Sequence, residues 1–78
     1  MNDSDRASAG LASGIPELSA MELRCLALAA EGKTPGDIVL ATDLPMAQVT
    51  NALSSAVERL GARNITGAIS RAARLKLI

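Results

Sequence analysis

The chain has 78 residues, a formal net charge of zero, one Cys, no His and no Phe, Tyr or Trp. It is long enough for one small domain with an aliphatic core, and its neutral balance does not point directly to nucleic acid. The lone Cys25 excludes an internal disulfide, a Cys/His zinc site is impossible without His, and no apolar run is long enough to span a membrane. Nothing in the composition indicates a cofactor, a small-molecule ligand or catalysis.

Residues 1–16 are rich in Ser, Ala, Gly and Asp and show no hydrophobic periodicity. This composition predicts a mobile N-terminal tail. The alternative is a docking arm that folds on a partner. Because the segment lacks the basic start and the apolar stretch of a signal peptide, the cytoplasm is the expected compartment.

A first helix is predicted over residues 20–31. Ser19 and Glu22 have the spacing of a capping box, in which the hydroxyl accepts from the amide of Glu22 and the carboxylate accepts from the amide of Ser19. Gly32 ends the helix because glycine readily adopts the left-handed conformation that follows a helix. Leu26 is the centre of its predicted buried stripe.

A second, short helix is predicted over residues 35–42. Thr34 is a favourable N-cap, Pro35 suits the first helical position, and Asp37 completes a variant of the capping box. Asp43 takes the turn that follows, in a left-handed conformation that Asp tolerates.

A third and longer helix is predicted over residues 45–60, opened by Pro45. Its apolar residues recur at helical spacing on one face: Val49, Ala52, Leu53, Ala56, Val57 and Leu60. The opposite side carries short, uncharged side chains that donate and accept hydrogen bonds: Gln48, Thr50, Asn51, Ser54 and Ser55.

A fourth helix is predicted over residues 65–75. Gly61 ends the third helix, and Asn64 is the N-cap of the fourth. The apolar stripe of this helix contains Ala68, Ile69, Ala72 and Leu75, with Arg71 and Arg74 on its flank. The predicted fold is therefore all-α, a compact four-helix bundle formed by residues 17–78.

Five short motifs carry a resemblance to a known family: L-S-x-x-E at 18–22, A-E-G-K-T at 30–34, D-I at 37–38, V-x-N-x-L at 49–53 and L-G-A-R-N-x-T at 60–66. Together they resemble the LuxR/GerE-type helix-turn-helix domain, which is also found at the C-terminus of NarL- and FixJ-like response regulators. The resemblance covers residues 18–78 without an insertion. It implies that helices two and three form the helix-turn-helix, that helix three enters the major groove, and that helix four supplies a dimer contact.

The first functional hypothesis is a small transcription regulator that binds duplex DNA through helix three, as a dimer. Asn51 is the best base-reading candidate because its amide can pair bidentately with adenine. The predicted DNA contacts also include hydrogen-bonding residues of helix three and phosphate contacts around it: Gln48, Thr50, Ser54, Ser55, Arg59, Arg63 and Thr34. The alternative interpretation is that these side chains are only solvated.

The distribution of charge favours a second hypothesis. From residue 34 to 57 the charged residues are Asp37 and Asp43, a net charge of −2, whereas residues 58–78 carry +4. The family usually has basic residues where this chain has Ala47, Thr50 and Ser54. The second hypothesis is therefore an interaction module that pairs with another regulator and binds DNA weakly or not at all. Its predicted dimer or partner contacts are Ala68, Arg71, Ala72, Leu75, Leu23 and Leu40.

Overall fold

The computed structural model describes residues 16–78, and within that range the chain forms four α-helices and no strand. The helices are α1 (Ala20–Ala30), α2 (Pro35–Thr42), α3 (Met46–Arg59) and α4 (Ile65–Arg74). This confirms the predicted all-α class, and each helix end lies within one residue of its predicted position. The predicted tail, apart from Pro16, lies outside the described residues.

The first two helices begin with the capping boxes that the sequence predicts. At α1, the Ser19 hydroxyl accepts from the Glu22 amide at 3.1 Å, and the Glu22 carboxylate accepts from the Ser19 amide at 2.8 Å. At α2, the corresponding hydrogen bonds between Thr34 and Asp37 measure 3.2 and 3.1 Å. Each box satisfies two backbone donors that a helix start otherwise leaves without partners.

The other helix boundaries also follow local signals, with one correction. Asn64 caps α4 by accepting from the Gly67 amide at 2.8 Å. Asp43 adopts a left-handed conformation with φ 62°, which turns the chain between α2 and α3. Pro45 was predicted to be the first residue of α3, but it is the N-cap, has extended backbone geometry and provides no side-chain cap.

Helix α3 is the centre of the fold and packs against each of the other three helices. It contributes to two core clusters. One joins it to α1 and α4 through Leu26, Ala56, Leu60, Ala68 and Ala72. The other joins it to α1 and α2 through Cys25, Ile38, Val49 and Ala52. Val49, Ala52, Ala56 and Leu60 are buried as predicted, while Leu53 and Val57 are half-buried at the edges of this face.

The core also corrects part of the predicted partner contact. Ala68 and Ala72 have no exposed surface, because both pack against the cluster that contains Leu26 and Leu60. Leu75 is half-buried and packs against the same cluster. The assignment of Ala68 and Ala72 to a dimer or partner surface is therefore wrong for this fold, since neither side chain reaches the outside.

Candidate interaction surface on α2 and α3

The outward side of α3 is a stripe of four residues directly opposite its buried face. Ala47, Asn51, Ser54 and Glu58 recur at i, i+4, i+7 and i+11, and all four are exposed. Three of these side chains are uncharged and the fourth is a carboxylate. This stripe lacks the cations that a surface in contact with phosphates needs.

Thr50 lies beside this stripe, and its hydroxyl proton is directed back into its own helix. The Oγ1 atom donates to the carbonyl oxygens of Met46 and Ala47, at 3.1 Å in each case. The hydroxyl therefore faces solvent as an acceptor only, and Thr50 cannot donate to a base or phosphate without giving up these intrahelical bonds.

Arg59 is the only cation within α3, and it already has a carboxylate partner. Its Nε donates to Oε2 of Glu22 at 3.1 Å, and one of its terminal nitrogens donates to the Glu17 carbonyl at 3.4 Å. The Arg59 side chain is 57% exposed and the Glu22 side chain 9% exposed. Arg59 is therefore held on the flank of α3 that faces α1, with part of its charge neutralised.

Two further predicted DNA contacts lie on the same side of α3 as Arg59. Gln48 and Ser55 precede it by eleven and four residues, which places all three on one lateral flank. Gln48 is exposed and Ser55 is half-buried. The predicted set is thus divided between two sides of the helix, and only Asn51 and Ser54 lie on the outward stripe, with Thr50 at its edge.

The start of α2 offers little to an anion. Pro35 has no amide hydrogen, and the amides of Thr34 and Asp37 are already bonded within the capping box. Of these first amides, Gly36 alone keeps a donor for an outside group. The hydrogen bonds from Thr34 lower the pKa of the exposed Asp37 carboxyl, so a negative charge stands where a helix start would otherwise attract a phosphate.

The cations near this surface lie at its borders. Lys33 lines an open groove of about 430 Å³ with Ser54, and the apolar wall of this groove contains Leu53, Val57, Ile65 and Ile69. Arg63 is exposed in the loop after α3. Arg71, a predicted partner contact, uses one terminal nitrogen to donate to the Leu60 carbonyl at 3.0 Å, which ties α4 to the end of α3.

The exposed side of α2 and the connection that follows it are acidic and apolar. Asp37, Leu40 and Ala41 recur at i, i+3 and i+4 and are all exposed, and Leu40 is 86% exposed. Asp43 and Met46 follow, the latter 48% exposed. We refer to these five residues as the turn surface. Leu40 is therefore placed where a partner can reach it, whereas Leu23, which was also predicted to meet a partner, is half-buried.

Two contacts in this region have no signal in the sequence. Glu22 was interpreted only as a cap, yet the same carboxylate also receives Arg59 from 37 residues away. Arg71 was predicted to lie on a solvated flank or to meet a partner, yet it bonds the backbone of Leu60. Neither contact follows from helical spacing, because each depends on how two separate helices pack.

No family model matches the chain, and no curated protein or solved structure matches it either. Its class therefore rests on its architecture, which in residues 16–78 is a bundle of four helices without a strand. Within the same range, no helix has both the length and the apolar character to cross a membrane.

Proposed function

We propose that this protein is an interaction module that binds another transcription regulator and thereby blocks it. The observation that carries this proposal is the chemistry of the surface over residues 34–57. That stretch has Asp37 and Asp43 as its only charged residues, and it exposes 86% of Leu40. An exposed apolar residue of this size on an acidic helix face is typical of a protein contact when it belongs to a larger patch.

The same surface is unfavourable for duplex DNA. Neutralisation of phosphates by Lys and Arg supplies most of the sequence-independent affinity of DNA-binding proteins. Here the outward stripe of α3 has no cation and ends in Glu58, Arg59 is paired with Glu22, and Asp37 occupies the start of α2. The electrostatic contribution to DNA binding is therefore small.

The second candidate is a LuxR/GerE-type regulator that binds duplex DNA through α3 as a dimer, the function that the sequence motifs favour. The short connection between α2 and α3 and the exposed hydrogen-bonding side chains of Asn51 and Ser54 support it. Lys33 and Arg63 stand at the borders of this surface and are its available phosphate contacts.

A single substitution separates the two candidates because it acts in opposite directions on them. Leu40→Arg places a cation on the turn surface at a side chain that contributes little to the core. If the module binds a regulator through this surface, the substitution abolishes association. If the chain binds DNA, the added cation strengthens binding to every sequence and steepens its salt dependence.

The experiment has two parts. The first is an amide NMR titration of the chain with mixed-sequence duplex DNA at low salt. The second measures binding to full-length regulators that carry a LuxR-type domain and are encoded in the same genome. Met21→Arg is the matched control, because Met21 is an apolar residue of α1 that is 40% exposed and does not belong to the turn surface. We expect no DNA-induced shifts over residues 48–63, and binding to a regulator that Leu40→Arg removes and Met21→Arg keeps. Salt-reversible shifts over those residues, with no regulator bound, would establish the DNA candidate instead.

A further inference from the structure

We infer that the turn surface docks on the basic, DNA-contacting surface of the regulator. This protein and DNA then compete for the same surface of the regulator and cannot bind it together. This inference rests on the proposed function and specifies the partner surface. Two properties select this partner surface: its charge is complementary to the turn surface, and it offers an apolar contact for Leu40.

The turn surface carries a negative charge. Asp37 and Asp43 are both exposed and flank Leu40 and Ala41, with no Lys or Arg between residues 34 and 57. In the sequence, Lys33 is the cation that immediately precedes this stretch, and it lines the groove. The hydrogen bonds from Thr34 lower the pKa of the Asp37 carboxyl and so favour its charged form. A partner surface complementary to this region has to be basic.

On a regulator, the basic surface is the one that contacts DNA. Proteins that bind duplex DNA concentrate Lys and Arg where they meet the phosphates, and the recognition helix presents apolar and polar side chains between them. That surface offers both cations for Asp37 and Asp43 and an apolar contact for Leu40. Other surfaces of a regulator carry no such required positive charge, so charge alone does not direct this module to them.

A second copy of this chain is the alternative occupant of the turn surface. Residues 58–78 carry a net charge of +4, so one copy has cations to offer another. Of these, Arg71 is bonded to Leu60 and Arg59 to Glu22. A contact between the turn surface of one copy and the C-terminal part of the next joins two different surfaces, and such a contact gives open chains unless it closes into a ring. The basic surface of a regulator avoids this problem.

The test measures whether a regulator that binds this protein can hold its operator at the same time. Full-length regulator is bound to fluorescently labelled operator DNA, and the full 78-residue chain is added. We expect DNA to be released as the complex forms, and added operator to displace the chain in the reverse titration. A stable ternary complex would overturn this inference while leaving the proposed function intact.

Variants then test the two parts of the surface separately. Asp37→Asn with Asp43→Asn removes both charges and should weaken binding to the regulator about tenfold and flatten its salt dependence. Leu40→Ala should weaken binding about tenfold without changing the salt dependence. Glu31→Gln is the matched control, since Glu31 is exposed at the end of α1, and it should bind as the natural chain does.

Circular dichroism and sedimentation complete the test. Far-UV circular dichroism checks that each variant keeps its helices. We expect this because every substituted side chain is exposed, and in Asp37→Asn the side-chain amide oxygen can still accept from the Thr34 amide. Variants that keep their helices and bind the regulator with unchanged affinity would place the contact elsewhere and overturn the inference. Sedimentation of the chain alone tests the second copy, and self-association that the turn-surface variants abolish would overturn it as well. Failure to bind any regulator would overturn the proposed function itself.

Discussion

Two leucines of this protein provide a matched test of the packing described above, because the same substitution should cost much more stability at one than at the other. Leu26 has no exposed surface in the cluster that joins α1 to α3 and α4, whereas Leu40 is 86% exposed on α2. Leu26→Ala removes buried methyl groups and leaves a cavity, which costs about 3–5 kcal/mol. The described 63 residues should have a total stability of about 3–9 kcal/mol, so this loss brings the domain close to unfolding.

The cost at Leu40 follows from its exposure. Folding removes only about one-seventh of its surface from water, so the hydrophobic loss is about 0.3 kcal/mol of the roughly 2–3 kcal/mol that full burial contributes. Ala is also the better helix former, which offsets part of that loss. Leu40→Ala should therefore leave stability within about 0.5 kcal/mol of the natural chain.

Urea unfolding followed by the far-UV signal measures both effects. Tryptophan fluorescence is silent in this chain, which has no aromatic residue. With a denaturant slope of about 1 kcal/mol per molar urea, Leu26→Ala should lower the midpoint by about 3 M or abolish the transition, and Leu40→Ala by less than about 0.5 M. Equal shifts for the two variants would refute the assignment of Leu26 to the core and of Leu40 to the surface.

Three further predictions concern helix boundaries and charge. Gly36→Ala should stabilise the fold by about 0.5 kcal/mol, because a Cβ added there meets no atom closer than 3.8 Å and the unfolded chain loses freedom. Gly61→Ala should destabilise it by about 1 kcal/mol, since Gly61 has φ 67°. Equal effects of the two substitutions in urea unfolding would contradict this explanation. A double-mutant cycle with Glu22→Gln and Arg59→Met should give a coupling energy of about 0.5–1 kcal/mol, which decreases in high salt. Zero coupling at low salt would show that this ion pair contributes nothing to the free energy of unfolding. The pKa of Asp37 is lowered in the folded chain, so the folded chain binds a proton at this carboxylate less readily than the unfolded chain does. The contribution of the ionised Asp37 to stability is therefore present above the ordinary pKa of about 4 and is lost as the pH falls through the lowered pKa. Asp37→Asn should therefore flatten the pH dependence of the urea midpoint below about pH 4, and superimposable profiles would count against the capping role.

The local parts of this structure could be read from the sequence because each depends on residues within one helical turn. Ser19 with Glu22, and Thr34 with Asp37, specify helix starts through hydrogen bonds over three residues. Asp43 is a local signal of a different kind, because Asp tolerates the left-handed conformation that the turn requires. The buried face of α3 followed from helical periodicity, which reports burial directly whenever one side of a helix meets a core.

The contacts between helices could not be read in this way. The pairing of Arg59 with Glu22 depends on the packing of α3 on α1, and that of Arg71 with the Leu60 carbonyl depends on the packing of α4 on α3. The error at Ala68 has a different cause. The helical periodicity of α4 predicts that Ala68 is buried, whereas the resemblance to a dimeric family predicts that it lies at an interface. In the structure Ala68 is buried, as the periodicity predicts.

The small size of the core residues has a consequence for how this sequence can change over time. Ala52, Ala56, Ala68 and Ala72 are buried, and such small side chains allow neighbouring helices to approach closely. At these positions every substitution other than to Gly or Ser enlarges the side chain substantially, and added methylenes in a closely packed interior typically cost about 1–3 kcal/mol. Sequence drift at these four sites is therefore confined to Gly and Ser, or to paired exchanges in which a neighbouring Leu or Ile becomes smaller.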